Sequence, residues 1–578
     1  MSRTTIICRL LAVLLTGFVR HAALAQMQPA PEWESAVAFS QAASNSKVNA
    51  TAADDRGNIY LVGKFDGKAR FGSTVLTSNV GDLFVAKWSP VDRDFVWVKQ
   101  AAGGGFEEAT AIAVNGNNVY VAGIFDGPTV TFDGITLRNT SINNNNDGFV
   151  AKLTDNGTTA SFVWAQLISG QNEEKVTALA ASGSNVYVTG TFNSLPARFG
   201  ALMLQNTSIP FYTGEDIFLA KLTDVGPTSS FTWAQRIGGP DVDASQALLA
   251  DGNSLYLVGD FSATVSFGTT TLTAAGGQDG FVARLRDEGT ACRFDWVQSV
   301  TGPAHDRIRG VARQASNLYL VGEFGRLARF GSFSLNTAGY TDVFVAKLTD
   351  TGTITWVQQG GGPADESART VAVVDSSVYI GGSFSSKTIT FGPTTLTNTA
   401  AKQPGAASSD MFLVKLTDRG SSARFTWVQQ TGNYVDDIYP YTMTAIGQQV
   451  YVGGTSYGYS VFGRQLVNQS GQIVGFLAML TDVPPPLHIP KQLVDLKVYP
   501  NPVRAQVTVL IPGPPDGTDQ VVLTLIDPVG RVVRTTPAAL PPNGLRYSLS
   551  LLGLRPGAYV LRVQIADQFA TRTLVVVE

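Results

Sequence analysis

The chain has two cysteines and three histidines in 578 residues, and only 15% of its residues are charged. Each shortage removes a class of chemistry. Cys8 lies in an N-terminal apolar stretch, so Cys292 is alone in the rest of the chain and no intramolecular disulfide is expected there. Beside Phe294 and Trp296 it reads as a packed strand thiol. His21 lies in the same N-terminal stretch. His305 and His488 are far apart and belong to no His-Glu-x-x-His pair, which argues against a His-rich zinc centre and a Ser-His-Asp triad. No Gly-x-Ser-x-Gly elbow, phosphate loop or dinucleotide fingerprint sits before a helix, so no catalytic residue, metal or cofactor is expected. The formal net charge of −3 comes without a basic cluster, which argues against nucleic acid and anionic membrane surfaces as partners. Apolar stripes at helical spacing are missing, while Gly, Thr, Val and Phe are plentiful. The expected class is all-β.

The N-terminus reads as a leader. Arg3 and Arg9 flank the start of an apolar run, Leu10 to Val19, which is too short to span a bilayer. Ala23-Leu24-Ala25 supplies a small-x-small cleavage site before Gln26, so residues 1–25 are expected to be a signal peptide. No later segment is long and apolar enough to form a transmembrane helix.

What the chain has instead is a repeat. Seven copies of apolar-Tyr-apolar-x-Gly carry Tyr60, Tyr120, Tyr187, Tyr256, Tyr319, Tyr379 and Tyr451, each with a glycine three residues on. The tyrosines are 60, 67, 69, 63, 60 and 72 residues apart, which is the mark of stacked copies of one unit. A second element, Asp-x-Phe-x-x-Lys, recurs around Phe84, Phe149, Phe218, Phe281, Phe344, Phe412 and Phe476. Its acid and base (Asp216 and Lys221 in the third copy) are present in six copies and replaced by Val474 and Met479 in the last. The mid-strand charge is read as an ion pair or hydrogen bond between neighbouring copies. Thr349-Asp350-Thr351-Gly352 is read as a turn. Between the two elements a short insert, such as Ala197-Arg198-Phe199-Gly200, reads as a hairpin.

Seven tryptophans fall in register: Trp33, Trp97, Trp164, Trp233, Trp296, Trp356 and Trp427. The last copy lacks a Trp strand of its own, and a spare one stands at the N-terminus around Trp33. A ring closed by its two ends needs this one-strand permutation, whereas a linear solenoid would show capping repeats. The Tyr-x-x-Gly, Asp-x-Phe-x-x-Lys-Leu and Trp elements resemble bacterial seven-bladed β-propeller repeats of the SBBP type. The resemblance implies a propeller over residues 26–483.

Pro484-Pro485-Pro486 opens a stiff linker, 484–494, and the repeat stops there. Residues 495–578 read as a small β-sandwich. They carry Pro500-Asn501-Pro502, then Asp527 and Gly530, then Pro556-Gly557 and Tyr559. These motifs resemble the C-terminal sorting domain of the type IX secretion system. That resemblance implies an Ig-like fold, the secretion machinery as a partner, and delivery through the periplasm and outer membrane to the cell surface or beyond.

One constellation is a candidate site. Ten residues after the Trp stands an acid in six copies: Glu107, Glu174, Asp243, Asp306, Glu366 and Asp437, with Lys47 as the seventh equivalent counted back from Tyr60. Carboxylate pairs can hydrolyse glycosides, but a catalytic acid and base need different surroundings, and a residue that obeys the repeat reads more readily as structural. The insert lengthens before Phe149, Phe218 and Phe412, and around Tyr434, Asp436, Asp437, Tyr439 and Tyr441 the repeat breaks into acids and aromatics. The expectation is a monomeric exported protein that binds an extracellular glycan or protein on the face of these loops. A cation, a basic partner or a hydroxyl-rich glycan would suit the acidic ring. A carbohydrate-active hydrolase or lyase and a surface-layer component are the other readings.

Overall fold

The computed structural model describes residues 27–39, 44–142, 144–206, 214–399, 408–432, 437–458, 460–468, 472–482, 496–511, 520–528, 531–541, 544–565 and 568–577. The expected signal peptide, the linker prolines, His488, Tyr434, Asp436 and Gly530 lie outside them. The described residues form strands and no α-helix. The chain divides into two compact units, Met1–Val483 and Pro484–Glu578.

In the first unit the repeat folds as an antiparallel four-stranded motif. In the third copy Glu174–Ser182, Asn185–Phe192, Asp216–Asp224 and Ser229–Ile237 pair in that order. Gly183, at φ +59°, makes the tight turn between the first two. The Tyr strand is covered on both faces, which is why it reads as a continuous apolar run rather than an alternation. The same order recurs in every copy. In the last, Ile438–Ile446, Gln449–Tyr457 and Ile473–Thr481 are completed by Trp33–Ala38, with Trp33 opposite Leu480 and Ala38 opposite Phe476. The N-terminal strand therefore takes the place the sequence left open.

The motif glycine has a steric cause. A Cβ on Gly190 would lie 1.8 Å from the Lys175 carbonyl oxygen, and one on Gly322 1.9 Å from that of Arg307. The first strand bulges at this level and its backbone presses on the glycine; the register shifts between Val176 and Ala178, and between Ile308 and Gly310.

Copies join through their inserts and cores. The hairpin Ala197–Phe199 with Leu202–Leu204 pairs back onto the outer strand of the preceding copy, with Ile168 opposite Phe199. Thr129–Phe132 does the same with Ala102 opposite Thr131. The core clusters each span two copies. One unites Tyr120 and Trp164 with Val186 and Phe218, and another unites Phe39, Tyr451 and Met479 with Leu61, Phe84 and Trp88. No copy owns a core, so none is expected to be stable alone. Residues from the first strands of all seven copies line one cavity of about 260 Å³, called the channel below.

The second unit holds two antiparallel sheets around Val507, Val509, Leu523, Leu561 and Val563. One is Lys497–Tyr499, Gln506–Ile511 and Leu545–Ser550; the other is Val532–Ala539, Gln520–Ile526, Gly557–Ile565 and Gln568–Val576.

Candidate functional site

The repeated charges come first, because they show what belongs to the scaffold. Asp224, at the end of the third strand of its copy, accepts hydrogen bonds from three side chains of the preceding copy: Lys152 Nζ at 2.7 Å, Tyr120 Oη at 2.7 Å and Trp164 Nε1 at 3.1 Å. Its own Gly226 amide adds a fourth at 2.9 Å. Burial raises the Asp224 pKa, but Lys152, Tyr120, the Gly226 amide and Trp164 outweigh it and hold the carboxyl below its ordinary range. The arrangement recurs with Asp155, Asp287, Asp418 and Asp482 facing Lys87, Lys221, Lys347 and Lys415. Asp350 faces Arg284 at 3.0 Å. The strand base thus bridges neighbouring copies. Its acid is the aspartate of Leu-Thr-Asp in the next copy rather than that of Asp-x-Phe. The Asp350 turn is real, since the Gly352 amide donates to the Thr349 carbonyl, but the side chain also joins two copies.

The acidic ring lies at one end of the first strands. Glu107, Glu174, Asp243, Asp306 and Glu366 are completely or almost completely buried. Glu107 accepts the Gly103 amide at 3.1 Å, Asp243 that of Gly239 at 2.8 Å, Asp306 that of Gly325 at 3.1 Å and Glu366 that of Gly362 at 2.9 Å. Each also sits beside the Asp-x-Phe acid of the preceding copy: Asp82, Asp147, Asp216, Asp279 and Asp342 in turn. Burial, and then the neighbouring carboxylate, push Glu107, Glu174 and Asp243 up to about 8, and Asp306 and Glu366 to about 7. These are proton-holding pairs sealed between copies.

The last two positions depart from the count. Ser46, not Lys47, stands opposite Phe65 where Glu107 stands opposite Phe125, because the Asp54–Asn58 turn is one residue longer than its equivalents. In the last copy Ile438 takes the place, and Asp437 instead accepts the Ser409 amide at 2.6 Å.

The repeat truly breaks at the bulges. Each first strand has one unpaired residue there: Asn49, Thr110, Thr177, Gln246, Arg309, Arg369 and Tyr441. All seven line the channel. A bulge re-aims one side chain without disturbing the ladder, so this is where a rigid repeat can vary. Five are occupied with protein partners. Asn49 donates to Glu108 at 2.8 Å, Thr110 to the Val176 carbonyl at 2.8 Å, Gln246 to Asp260 at 3.0 Å and Arg309 to Glu323 at 2.7 Å; Thr177 meets Ser245 at 2.9 Å. Arg369 and Tyr441 are neighbours in this ring and differ. Arg369 Nε is buried without a hydrogen-bond partner, and no carboxylate among the described residues pairs with its guanidinium, which lies 5.4 Å from the Tyr439 ring and 5.8 Å from that of Tyr441.

Tyr441 also lines a second cavity, of about 270 Å³, where the last copy meets the first. Lys47 lies 4.7 Å above the Tyr441 ring, and Lys64 lies 4.1 Å above that of Phe106. Both lysines reach Glu108 at 3.3 Å. Tyr457 and Asp66 complete this wall. Sequence reasoning flagged Tyr439 and Tyr441 but missed Arg369, Lys47 as a wall residue, Lys64 and Phe106; the signal that could have found them is non-repetition at one fixed place in each copy.

In the second unit Asn501 clasps the last strand, accepting the Val575 amide at 2.8 Å and donating to the Thr573 carbonyl at 2.7 Å, between Pro500 and Pro502. Asp527 accepts from the Arg531 amide at 2.9 Å and Nε at 3.0 Å. Pro556 and Gly557 lead into the strand on which Tyr559 is buried, its hydroxyl donating to the Arg555 carbonyl at 3.0 Å.

No curated protein matches this sequence. Among solved structures, the chain is similar to a quinohemoprotein alcohol dehydrogenase from Comamonas testosteroni, with 10% identity, TM-score 0.35, and 81% of this chain and 79% of that one covered. It is similar to an acylaminoacyl peptidase from Pyrococcus horikoshii at 8% identity and TM-score 0.35, covering 81% and 58%. An exotype rhamnogalacturonan lyase follows at 10% identity and TM-score 0.26, covering 95% and 91%. Residues 497–577, which hold the Asn501, Asp527 and Tyr559 contacts, match the family described as Secretion system C-terminal sorting domain. The chain thus carries a type IX secretion sorting domain and is exported through the outer membrane, to the cell surface or into the medium.

Proposed function

We propose that the first unit is a seven-bladed β-propeller of SBBP-type repeats, closed by its N-terminal strand, that the tail is Ig-like, and that the exported protein binds an extracellular ligand and is not an enzyme. The observation that carries the binding reading is the Arg369–Tyr441 pair. The other five bulge residues have hydrogen-bond partners within the protein, whereas these two line cavities with the Arg369 Nε unpartnered. Recognition on a repeat scaffold sits where the repeat is broken. The five sealed carboxyl pairs favour binding over hydrolysis, since a general acid must reach the bond it protonates. Their repeated geometry fits a structural role, and the ligand contact moves from the acidic ring to the wall around Tyr441.

The test is retention of the full chain on a panel of immobilised glycans and extracellular proteins, with product analysis of every ligand retained. Retention that is lost in Tyr441→Ala, with an unchanged melting temperature and no turnover, is the expected result. Release of cleaved product from a retained glycan, or retention indifferent to Tyr441→Ala, would overturn the reading.

A further inference from the structure

Resting on that binding reading, we propose that the site between the last and first copies recognises a carbohydrate bearing a carboxylate, a uronic acid unit, with Arg369 as its anchor. Arg369 is partly buried with its Nε sealed from solvent, and a guanidinium held there without a counter-charge leaves hydrogen-bonding capacity that an anion can take up. Arg309, one position back in the ring, shows the satisfied alternative: it is held by Glu323 at 2.7 Å and 2.9 Å. Arg369 has only the faces of Tyr439 and Tyr441, which orient the guanidinium and leave its N–H fork unused. A planar fork in an oriented setting matches a carboxylate with two parallel hydrogen bonds.

The surroundings choose the class of anion. Tyr441 belongs both to the channel and to the cavity at the junction, so a ligand on Arg369 continues along one wall past Phe106 and Tyr457. Ring faces of this kind carry the apolar face of a sugar. Asp66 stands in the same wall, and the buried Glu108 pairs with the wall residues Lys47 and Lys64. These carboxylates repel a doubly charged phosphate more strongly than a singly charged carboxylate, which disfavours polyphosphates, and Asp66 can accept hydrogen bonds from hydroxyls. A ligand with one carboxylate per ring and several hydroxyls satisfies both sets of groups. Lys47 and Lys64, each about one-third exposed, stand where a second carboxylate along an oligosaccharide would pass.

The experiment titrates the full chain calorimetrically with trigalacturonate and with its fully methyl-esterified form, which keeps the shape and removes the charge. Triglucuronate and trimannuronate run in parallel to cover ring stereochemistry. At least one acid trimer is expected to bind about tenfold or more tighter than its ester, the worth of one charge-assisted hydrogen bond. Arg369→Gln should remove most of that preference, Arg369→Lys should keep more of it, and Tyr441→Ala should weaken acid and ester alike. Thermal melts confirm that each variant is folded. Equal affinity for acid and ester, an unchanged preference in Arg369→Gln, or no binding by any of the three acids overturns the proposal. The panel described above separates the two failures: a neutral glycan held through Tyr441 removes only the acid assignment, and no retention at all removes the binding reading with it.

Discussion

Replacing Asp224 by Asn is the sharpest test of what holds neighbouring copies together. Asp224 and Lys152 are both about 5% exposed at the side chain, so the substitution leaves an ammonium group in a nearly dry seam. One amide oxygen cannot serve the four donors that the carboxylate served, from Lys152, Tyr120, Trp164 and Gly226. Removing one member of a buried pair costs about 3–5 kcal/mol, against under about 1 kcal/mol for an exposed pair. The double variant Lys152→Met with Asp224→Asn takes the stranded charge away and should regain most of the loss. A lone buried lysine sheds its proton more easily, so the single variant should become relatively more stable as pH rises. Urea unfolding of the full chain, followed by tryptophan fluorescence at pH 6 and pH 9, reads all three effects. A single variant within about 1 kcal/mol of wild type would show that the seam is wet. A double variant as unstable as the single would show that the Tyr and Trp hydrogen bonds, not the charge, hold the joint.

Two further outcomes are expected. Trp33 is buried against Phe462, with ring centroids 5.3 Å apart, so Trp33→Ala should cost about 3–5 kcal/mol, and an unchanged melting temperature would show that the N-terminal strand does not close the sheet. The carboxyl pairs set a pH slope. Glu107, Glu174 and Asp243 are raised to about 8 in the folded chain, so the stability they allow is full below their unfolded values near 4 and is lost as pH rises toward 8. A tenfold difference in proton affinity between folded and unfolded chain is worth about 1.4 kcal/mol, and Glu107→Gln with Glu174→Gln should flatten the slope measured by melting temperature from pH 5 to pH 8.5. A slope identical in that variant would refute the pairing.

Much of the fold was legible because each copy faces the same constraints. The glycine of Tyr-x-x-Gly recurs because a neighbouring backbone leaves no room for a Cβ, and the missing Trp strand pointed to Trp33 because a sheet needs its fourth strand. Pairs formed across copies were less legible. Asp350 looked like a turn residue because its turn is local, while Tyr256 and Arg284 reach it from 94 and 66 residues away. The Lys47 equivalence failed on a single extra residue in the Asp54–Asn58 turn. The bulges were invisible because an apolar alternation reads the same with or without one unpaired residue, and so the break at Arg369 and Tyr441 showed only as scattered aromatics.

The junction between last and first copies differs from the others in a way that bears on assembly. Where other copies place Lys against Asp, it has Met479, and the first copy has Pro90 in place of the Leu-Thr-Asp aspartate; where others pair two carboxyls it has Val474 and Ser46. The substitutions on the two sides of the junction are matched. Were the sixth copy to close on the first, Lys415 would be buried opposite a proline without Asp482, a loss of several kcal/mol. Were the seventh to recruit the second copy of another molecule, Met479 would face Asp155 and strand a buried carboxylate. Only the last copy fits the first without an uncompensated charge. Where the repeat is imperfect, the imperfections favour the pairing of the last copy with the first over the two joints that would leave a charge unpaired.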